Sequence, residues 1–452
     1  MRLIGLIGGM SWESTKLYYQ IVNREVSRRL GGLHSAPIHV ISLDFAGIVR
    51  RQNVGDWEGM AEILVQAASR RPCSTPPGCM RWQRSISRWA KAWSLRELDS
   101  QPTSITKESP MKIIGKSWLA LATTGMLVGA PAHAGKTLDQ IKQRGQVVCG
   151  VNTGTPGFSQ ASSSGNWSGL DVDVCRAIAA AVLGDRNKVK WVPLTAQARF
   201  TALQSGEVDI LSRNTTWTLT RDSSLGLNFT GVTFYDGQGF MVPVKSKIKS
   251  AKQLKGASVC VQSGTTTEKN LTDFSRANNL GLKPVVFETV EASTGAYFSG
   301  RCVALTDDAS SLAAARNTGA KDPKEHEILP ELISKEPLGP AVRRGDDEWF
   351  SIVKWVVFGL IESEEYGVTQ ANVDKMATES KDPVVMRLLG SSEDTGKLLG
   401  LDKDWMVKAV RAVGNYGEIF ERNVGPQTPL NLPRGVNSLW NKGGIVYAPP
   451  VR

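Results

Sequence analysis

The sequence predicts an α/β protein built from two similar lobes and preceded by an incomplete α/β fragment. Three observations support this prediction. Apolar runs alternate with helical patterns from residue 146 onward, as in a largely parallel sheet covered by helices. The same alternation starts again near residue 257, which indicates a second lobe of the same kind. A separate pattern of strand, glycine turn and helix opens the chain at residues 1–15.

The 452 residues have the composition of a globular protein, with 41% hydrophobic and 21% charged residues. The formal net charge is +11, and about half of this excess comes from residues 1–110, which hold 15 basic and 9 acidic residues. The rest of the chain has no basic stripe interleaved with aromatic residues, so nucleic acid is not expected as a partner. The six cysteines form no C-x-x-C pair, and the four histidines lack metal-ligand spacing. We therefore expect no metal, no cofactor and no catalytic residue.

The opening segment carries the run GLIGGMSWEST at residues 5–15, the run LGGLHSA at residues 30–36, and a second predicted strand that leads into Asp44. These features resemble the aspartate/glutamate racemase family over residues 1–70. That family uses two cysteines to remove and return a proton, the first of them in a Cys-Asn-Thr context after a third strand. The sequence has neither this strand nor this motif. The resemblance therefore implies a truncated fragment without activity.

Residues 71–110 show no pattern of a folded domain. Six basic residues and three tryptophans occur within residues 71–96, without any acidic residue or apolar periodicity. We interpret the segment as an unstructured or shifted-frame linker. A basic arm that binds nucleic acid is the alternative.

Residues 111–134 have the pattern of a signal peptide. Two lysines precede an apolar stretch at residues 118–130, and a proline with the A-x-A triplet at residues 132–134 follows. The apolar stretch is too short to span a bilayer as a helix. Either two genes are fused, or translation starts at Met111. In the second case we expect a periplasmic protein that is processed near Gly135.

The two lobes are expected to follow this segment. Residues 135–241 and 341–452 form the first lobe, and residues 242–340 form the second. The chain should pass between the lobes near residues 239–243 and 336–341, as two parallel extended stretches that act as a hinge. A ligand would then bind in the crevice beyond the strand ends.

Each lobe is predicted from a short series of strands and helices. Strands are expected at residues 146–152, 188–193 and 208–211 of the first lobe and at residues 257–262, 283–287 and 302–306 of the second, with helices at residues 169–183, 199–206 and 309–316.

Five long motifs lie in this part of the chain. They are GLDVDVCRAIAAAVLGD from residue 169, RFTALQSGEVDILSRNTTWTLTRD from residue 199, SGTTTEKNL from residue 263, KEPLGPAVRRGDDEWF from residue 335 and RGVNSLWNKGGIVYAPP from residue 434. They resemble the periplasmic substrate-binding proteins of polar amino-acid ABC transporters, and within them the general L-amino-acid-binding group. The resemblance spans residues 135–452. It implies the periplasmic binding protein fold, a free L-amino acid as ligand, a membrane permease as partner and a monomeric state.

A free amino acid carries two charges, and burying either of them unpaired costs several kcal/mol. The resemblance places the carboxylate-binding role on Arg221, whose planar guanidinium matches a carboxylate fork. It places hydrogen-bond donors at Asn214 and Thr216 in the same loop. An exposed loop arginine without a ligand is the alternative interpretation of Arg221.

The ammonium-binding role falls on Asp308, eight residues after Gly300. Asp307 competes with it, because a one-residue slip of the alignment exchanges the two. Both carboxylates could instead cap the following helix. The sequence also departs from the family pattern at Val303, which is usually acidic in relatives.

Further positions at the site follow from the same resemblance. Thr265 and Thr266 stand at a strand-to-helix turn of the second lobe, and Thr266 matches a carboxylate donor best, with helix capping as the alternative. Phe158 is expected at the edge of the site. Relatives selective for cationic amino acids carry aromatic residues where this chain has Thr155 and Ala196, which favours broad recognition.

Four cysteines lie within the two lobes. Cys149 and Cys175 fall on the first strand and the next helix, and Cys260 and Cys302 fall on two strands of the second lobe. Two disulfides, one within each lobe, suit an oxidising periplasm. Four free buried thiols are the alternative.

The sequence thus favours a transport protein that closes around an amino acid and delivers it to a permease, and it does not favour an enzyme. An aspartate/glutamate racemase, or a fusion with both functions, is the alternative. The missing cysteine motif argues against both.

Overall fold

The computed structural model describes residues 4–8, 38–42 and 137–452. The described residues fall into two units, with residues 4–8 and 38–42 in the first and residues 137–452 in the second. In the first unit, strand β1 (Ile4–Gly8) pairs in parallel with strand β2 (Ile38–Ser42), in agreement with the strands predicted for the racemase-like fragment. The predicted linker and signal peptide lie outside the described residues.

The second unit contains two five-stranded mixed sheets, one in each lobe. Its strands are β3 (Val147–Asn152), β4 (Gln160–Ala161), β5 (Trp167–Ser168), β6 (Val189–Leu194), β7 (Ile210–Leu211), β8 (Leu227–Phe229), β9 (Phe234–Asp236), β10 (Gln238–Pro243), β11 (Ser258–Gln262), β12 (Lys283–Phe287), β13 (Ala304–Asp308), β14 (His326–Ile328), β15 (Glu336–Leu338) and β16 (Ala341–Arg343).

Helices cover both sheets. They are α1 (Thr137–Arg144), α2 (Leu170–Leu183), α3 (Arg199–Ser205), α4 (Leu219–Ser224), α5 (Thr266–Ala277), α6 (Val290–Phe298), α7 (Ala309–Ala314), α8 (Asp347–Glu365), α9 (Val373–Glu379), α10 (Pro383–Leu388), α11 (Trp405–Val413) and α12 (Tyr416–Asn423). None of the helices in the described part of the chain is both long and apolar enough to cross a membrane.

The two sheets have the same plan. In the first lobe the order is β6-β3-β7-β16-β8, and in the second it is β12-β11-β13-β10-β14. The first three strands of each sheet run parallel, and the fourth runs antiparallel to both of its neighbours. This repeated arrangement confirms the predicted pair of α/β lobes. It also places the carboxyl ends of the parallel strands at one edge of each sheet, where ligands bind in such folds.

The crossing between the lobes corrects the sequence prediction. Strand β10 was expected to lead from one lobe to the other, but it is the fourth strand of the second sheet and is hydrogen-bonded on both sides. The second lobe therefore begins near residue 238 and not at residue 242. The chain crosses from the first lobe to the second in β9 and returns in β15. These two strands pair with each other, with Asp236 opposite Glu336. The two crossing strands run antiparallel and not parallel, so the hinge is a hydrogen-bonded ribbon.

Helix α2 forms the centre of the first lobe, and its sequence explains its interior and its carboxyl end. An alanine-rich interior favours the helix, and Gly184 ends it in the left-handed conformation with φ 72°. Eleven of its fourteen residues are buried. The helix packs with β3, α8, α11 and α12 in one large hydrophobic core that includes Trp349 and Trp405. A smaller core lies around Phe240 in the second lobe.

Both predicted disulfides are present. Cys149 and Cys175 join β3 to α2 with a Cα–Cα distance of 6.4 Å. Cys260 and Cys302 join β11 to the segment before β13, with a Cα–Cα distance of 5.6 Å. Cys302 precedes its strand because β13 starts two residues later than predicted. Each bridge lies within one lobe, so neither restrains motion between the lobes.

We expect reduction of these bridges to destabilise the protein without abolishing its fold. The bridges close loops of 26 and 42 residues, and the chain-entropy relation assigns them about 3.5 and about 4 kcal/mol. Replacing each pair by alanine, one pair at a time, should lower the free energy of unfolding by a few kcal/mol. Denaturant unfolding would measure this loss. Unchanged stability in both double variants would contradict the prediction.

Candidate ligand-binding site

The loop after β7, residues 212–218, faces the second lobe and is fixed at both ends. The Asp171 carboxylate on α2 accepts hydrogen bonds from the Ser212 hydroxyl at 3.2 Å and from the Asn214 amide at 2.7 Å. Burial raises the pKa of Asp171 to about 6. Further along the loop, the Trp217 amide donates to the Pro337 carbonyl of the hinge strand β15 at 2.8 Å. The loop therefore cannot shift without disturbing both α2 and the hinge.

Arg221 lies on α4 directly after this loop and is 7% exposed. Thr218 begins the helix by accepting a hydrogen bond from the Arg221 amide. The Arg221 Nη1 donates to the Thr216 carbonyl at 2.8 Å. The Nε and Nη2 edge of its guanidinium makes no hydrogen bond to any described residue. Burial lowers the pKa of Arg221 to about 10, against the opposing effect of Glu336 and Asp308. Arg221 is therefore a buried cation with a free donor edge.

Two further arginines lie at the site, and sequence reasoning missed both. Arg199, 3% exposed, points a guanidinium nitrogen to the Gly264 carbonyl of the second lobe at 3.4 Å, and its Nε has no hydrogen-bond partner. Arg213, 2% exposed, donates to the Leu194 carbonyl at 2.9 Å. Burial lowers the pKa of both groups, to about 10 for Arg213. Both residues stand inside the motif that begins at residue 199, which was the available signal.

The second lobe supplies opposite charge through Asp308 at the end of β13. Asp308 is 5% exposed, and its Oδ1 atom has no hydrogen-bond partner among the described residues. It stands at the N-cap position of α7 but makes no side-chain capping bond. Asp307 differs, since its Oδ1 accepts a hydrogen bond from the Asp308 amide at 2.9 Å. Neither carboxylate caps the helix. Of the two, Asp308 is the one with a buried oxygen that lacks a hydrogen-bond partner.

Two more carboxylates lie on the hinge and were also missed by sequence reasoning. Glu336 on β15 is 1% exposed and accepts hydrogen bonds from Thr266 at 2.9 Å and Asn270 at 2.8 Å. Asp236 on β9, paired with it across the ribbon, accepts from Ser310. Glu336 belongs to the motif that begins at residue 335. The nearby Pro337 and Pro340 indicated a hinge at this place and gave no sign of a buried carboxylate at the site.

Burial of several carboxylates close together raises the pKa of three of them. Burial, together with neighbouring carboxylates, raises the pKa of Asp307 to about 7 and that of Asp236 to about 6. Burial raises the pKa of Asp308 well above its usual value, and Asp236, Asp307 and Glu336 add to the effect. Arg221 opposes it. A positively charged ligand group beside Asp308 would reverse the shift, because it stabilises the ionised form.

The two lobes touch at this site, so the structure shows a closed arrangement. The Thr216 and Thr266 hydroxyls lie 3.2 Å apart, one from each lobe. At the rim, the Thr153 hydroxyl lies 3.3 Å from the Glu291 carboxylate. The Thr265 hydroxyl does not contact the first lobe in this way. It caps α5 by accepting a hydrogen bond from the Glu268 amide at 3.1 Å. The alternative interpretation, helix capping, therefore applies to Thr265 but not to Thr266.

Two predicted site residues have roles inside the first lobe. Phe158 was expected at the edge of the site, but it is 1% exposed and packs edge-on against Phe234 in the main hydrophobic core. Its side chain supports the lobe because the turn after β3 folds back onto the core. Asn214 lies in the site loop with φ 36°, and its side-chain oxygen accepts a hydrogen bond from Asn152 at 2.9 Å.

The site therefore combines buried guanidinium groups on one lobe with buried carboxylates on the other lobe and on the hinge. Such an arrangement can hold a small ligand that carries both charges, and two-lobed proteins of this kind are solute-binding proteins. In the part of the chain that the structure describes, no group of His, Cys, Asp and Glu residues is arranged to hold a metal ion. Residues 147–372 match the bacterial extracellular solute-binding proteins, family 3.

Two relatives that match this chain along almost their whole length support this assignment. The general L-amino acid-binding periplasmic protein AapJ of Rhizobium johnstonii is 57% identical over 335 residues, which cover 74% of this chain and 98% of that protein. The glutamate/glutamine/aspartate/asparagine-binding protein BztA of Rhodobacter capsulatus is 50% identical over 333 residues, with 74% and 98% covered. The chain belongs to family 3 of the bacterial extracellular solute-binding proteins.

A solved structure gives the same result for the fold. A periplasmic binding protein from Brucella ovis, with glutathione bound, is 55% identical and superposes with a TM-score of 0.69. The match covers 70% of this chain and 100% of that chain. The two-lobed fold is thus shared over the full length of that protein.

Proposed function

We propose that the protein is the extracytoplasmic substrate-binding component of an amino-acid ABC transporter and that it binds free L-amino acids between its lobes. The observation that carries the proposal is the pairing of a free guanidinium edge on Arg221 with a buried, unpartnered oxygen on Asp308. These are the two charged groups that an α-amino acid requires. The two relatives support the same ligand class, since one is a general L-amino acid-binding periplasmic protein and the other is a glutamate/glutamine/aspartate/asparagine-binding protein.

In this proposal the ligand bridges the two lobes. Arg221 holds the α-carboxylate from the first lobe, together with the Thr216 hydroxyl and the side-chain NH2 group of Asn214, whose backbone N–H is engaged by Asp171. The backbone N–H of Thr266, in the first turn of α5, donates to the same carboxylate from the second lobe, since its hydroxyl is engaged by Glu336, and Asp308 accepts from the ammonium. All these groups bind the α-carboxylate or the α-ammonium, which every free α-amino acid carries. Thr155 and Ala196 are both 1% exposed and offer no aromatic platform for a cationic side chain, which supports broad recognition.

The direct experiment is a calorimetric titration of the full chain with each of the twenty amino acids. We expect saturable binding at one site by several L-amino acids and weaker binding of their D-isomers. Glutathione belongs in the series, because its γ-glutamyl end carries a free α-carboxylate and α-ammonium and the Brucella ovis protein holds this molecule. If no amino acid and no glutathione binds, the proposed function is wrong.

The racemase alternative concerns residues 1–70. We propose that this segment is an inactive fragment, since a racemase of the resembled type needs two cysteines in motifs that the chain lacks. An assay with D- and L-aspartate and with D- and L-glutamate tests this directly. Measurable interconversion by the full chain would require a bifunctional protein instead.

We also propose that the mature protein is periplasmic and starts near Gly135. The signal-peptide pattern at residues 111–134 supports this location. Mass spectrometry of the protein isolated from the periplasm should then find a chain shorter than 49.0 kDa that begins near Gly135. An intact 49.0 kDa chain in the cell would instead support a genuine fusion.

Ligand binding should close the lobes. The hinge ribbon of β9 and β15 can absorb a rotation in a few backbone dihedrals while each lobe stays rigid. A ligand that contacts both lobes favours the closed form by the extra contacts available there. Small-angle scattering should show a smaller radius of gyration with saturating amino acid than without it. An unchanged radius despite proven binding would contradict the hinge mechanism.

A further inference from the structure

A second concave site is formed mainly by the first lobe, with Thr318 of the second lobe at its border, and it lies apart from Arg221 and Asp308 of the cleft. It is a cavity of about 550 Å³. Three arginines line it, Arg176 from α2, Arg186 from the loop after α2, and Arg422 from α12. Asp173 is the single carboxylate among the described residues that line it. We refer to this cavity as the arginine pocket.

The three guanidinium groups converge on the buried side chain of Asp173. Its Oδ2 atom accepts hydrogen bonds from Arg422 at 2.7 Å and from Asn423 at 2.8 Å. Its Oδ1 atom accepts from Arg176 at 3.4 Å and lies 3.9 Å from Arg186. One carboxylate thus faces three cations, which leaves an excess of two positive charges at the pocket.

Pairing of Asp173 does not explain this excess. A buried carboxylate needs one cation, and each further guanidinium adds like-charge repulsion. The pKa of Arg186 is lowered, first by burial and then by the charge of Arg176. The arrangement persists because backbone carbonyls hold each group. Arg176 donates to Trp167 at 2.8 Å, Arg422 donates to Val413 at 2.8 Å, and Arg186 donates to Ala412.

The anchored arginines remain accessible from the cavity. The side chains of Arg186 and Arg422 are 37% and 42% exposed, and that of Arg176 is 19% exposed. A neutral side-chain amide, that of Gln427 in the turn after α12, lines the cavity beside them. Guanidinium groups bind oxyanions through paired N–H donors, and preorganised cations lose little entropy when they do so.

We propose that the arginine pocket is a binding site for a dianionic phosphoryl group. Two negative charges balance the excess of two positive charges, and tetrahedral oxygens can reach all three guanidinium groups. The group can be inorganic phosphate or the phosphate of a small organic molecule, since the cavity has room for more than one ion. The site is separate from the amino-acid cleft, because none of the cleft residues Arg221, Asp308 and Thr266 lines it.

The test is a titration of the full chain with inorganic phosphate and with glycerol 3-phosphate, at constant ionic strength in chloride. We expect saturable binding at one site. Arg186→Gln should weaken phosphate binding about tenfold or more, because it removes a charge-assisted donor pair. The ion pair of Arg186 with Asp173 is the longest of the three, at 3.9 Å, and Arg176 and Arg422 still pair with Asp173 in this variant, so it should keep its fold. Arg422→Gln should weaken phosphate binding as well.

Matched controls separate this site from the fold and from the proposed function. Arg276→Gln changes an exposed arginine on α5 and should leave phosphate affinity unchanged. The amino-acid affinity of Arg186→Gln should equal that of the parent chain. Tighter binding of glycerol 3-phosphate than of inorganic phosphate would assign an organic ligand, and equal binding would assign the free ion. Lack of saturable binding by either probe, or affinity unchanged in both pocket variants, would overturn the proposal.

Discussion

Arg221→Ala is expected to abolish measurable amino-acid binding while the lobes remain folded. The substitution would leave the ligand carboxylate buried without a cation, at a cost of about 2–5 kcal/mol, or roughly 30- to 5000-fold in affinity. Calorimetry on the full chain measures the loss. The fold should persist because the side chain of Arg221 makes one hydrogen bond, to the Thr216 carbonyl, and is not part of the main hydrophobic core.

Two variants sharpen this test. Arg221→Lys keeps the positive charge but lacks the planar fork, so it should recover only part of the affinity. Arg276→Ala, on an exposed helix surface of the second lobe, should bind like the parent chain. If Arg221→Ala binds with unchanged affinity, Arg221 does not hold the carboxylate. Arg199 and Arg213, the other buried guanidinium groups of the cleft, would then be the groups to replace.

Asp308→Asn is expected to lower the amino-acid affinity by a similar factor. It should also eliminate the release of a proton that we expect when the parent chain binds its ligand. Burial and three neighbouring carboxylates raise the pKa of Asp308 well above its usual value. An ammonium group beside Asp308 favours its ionised form, so binding should release up to about one proton per chain. Affinity should therefore rise with pH until the pH passes the pKa of Asp308 in the free protein.

Calorimetry in buffers with different ionisation enthalpies counts the protons released. Asp307→Asn is the matched control, because Asp307 lies one residue away and its Oδ1 is engaged by the Asp308 amide. The control should keep most of the affinity and the dependence of the enthalpy on the buffer. Equal losses in the two variants, or a proton count that does not change in Asp308→Asn, would show that Asp308 is not the ammonium partner.

The sequence was sufficient for features that depend on local patterns and long motifs. Alternating apolar runs predicted strands β3, β6, β11 and β12 within one or two residues, since each run is bounded by polar residues or turns. Helix α2 was predicted because its alanine-rich stretch is closed by Gly184. The disulfide pairs followed from the placement of four cysteines in two lobes, and the structure confirms them.

Other features depended on which strands pair and which way side chains face. Strand β10 and the hinge strand β9 are both short extended segments, so their sequences do not show that β10 enters a sheet while β9 crosses between lobes. A shift of two residues in β13 decided the positions of Cys302, Asp307 and Asp308 relative to the strand. Burial of Phe158 depended on Phe234, which lies 76 positions away.

The sequence by itself thus determined the fold class, the two-lobe organisation and the family, and it supplied the charged residues that we propose for the ligand. The tertiary structure decided which of two adjacent aspartates has a buried oxygen without a hydrogen-bond partner, and it brought Glu336, Arg199 and Arg213 to the same cleft. It also gathered Arg176, Arg186 and Arg422 around Asp173. The physical reason is that local patterns report backbone propensity and burial. Contacts between charges far apart in the chain arise only when the sheets, the helices and the hinge bring them together.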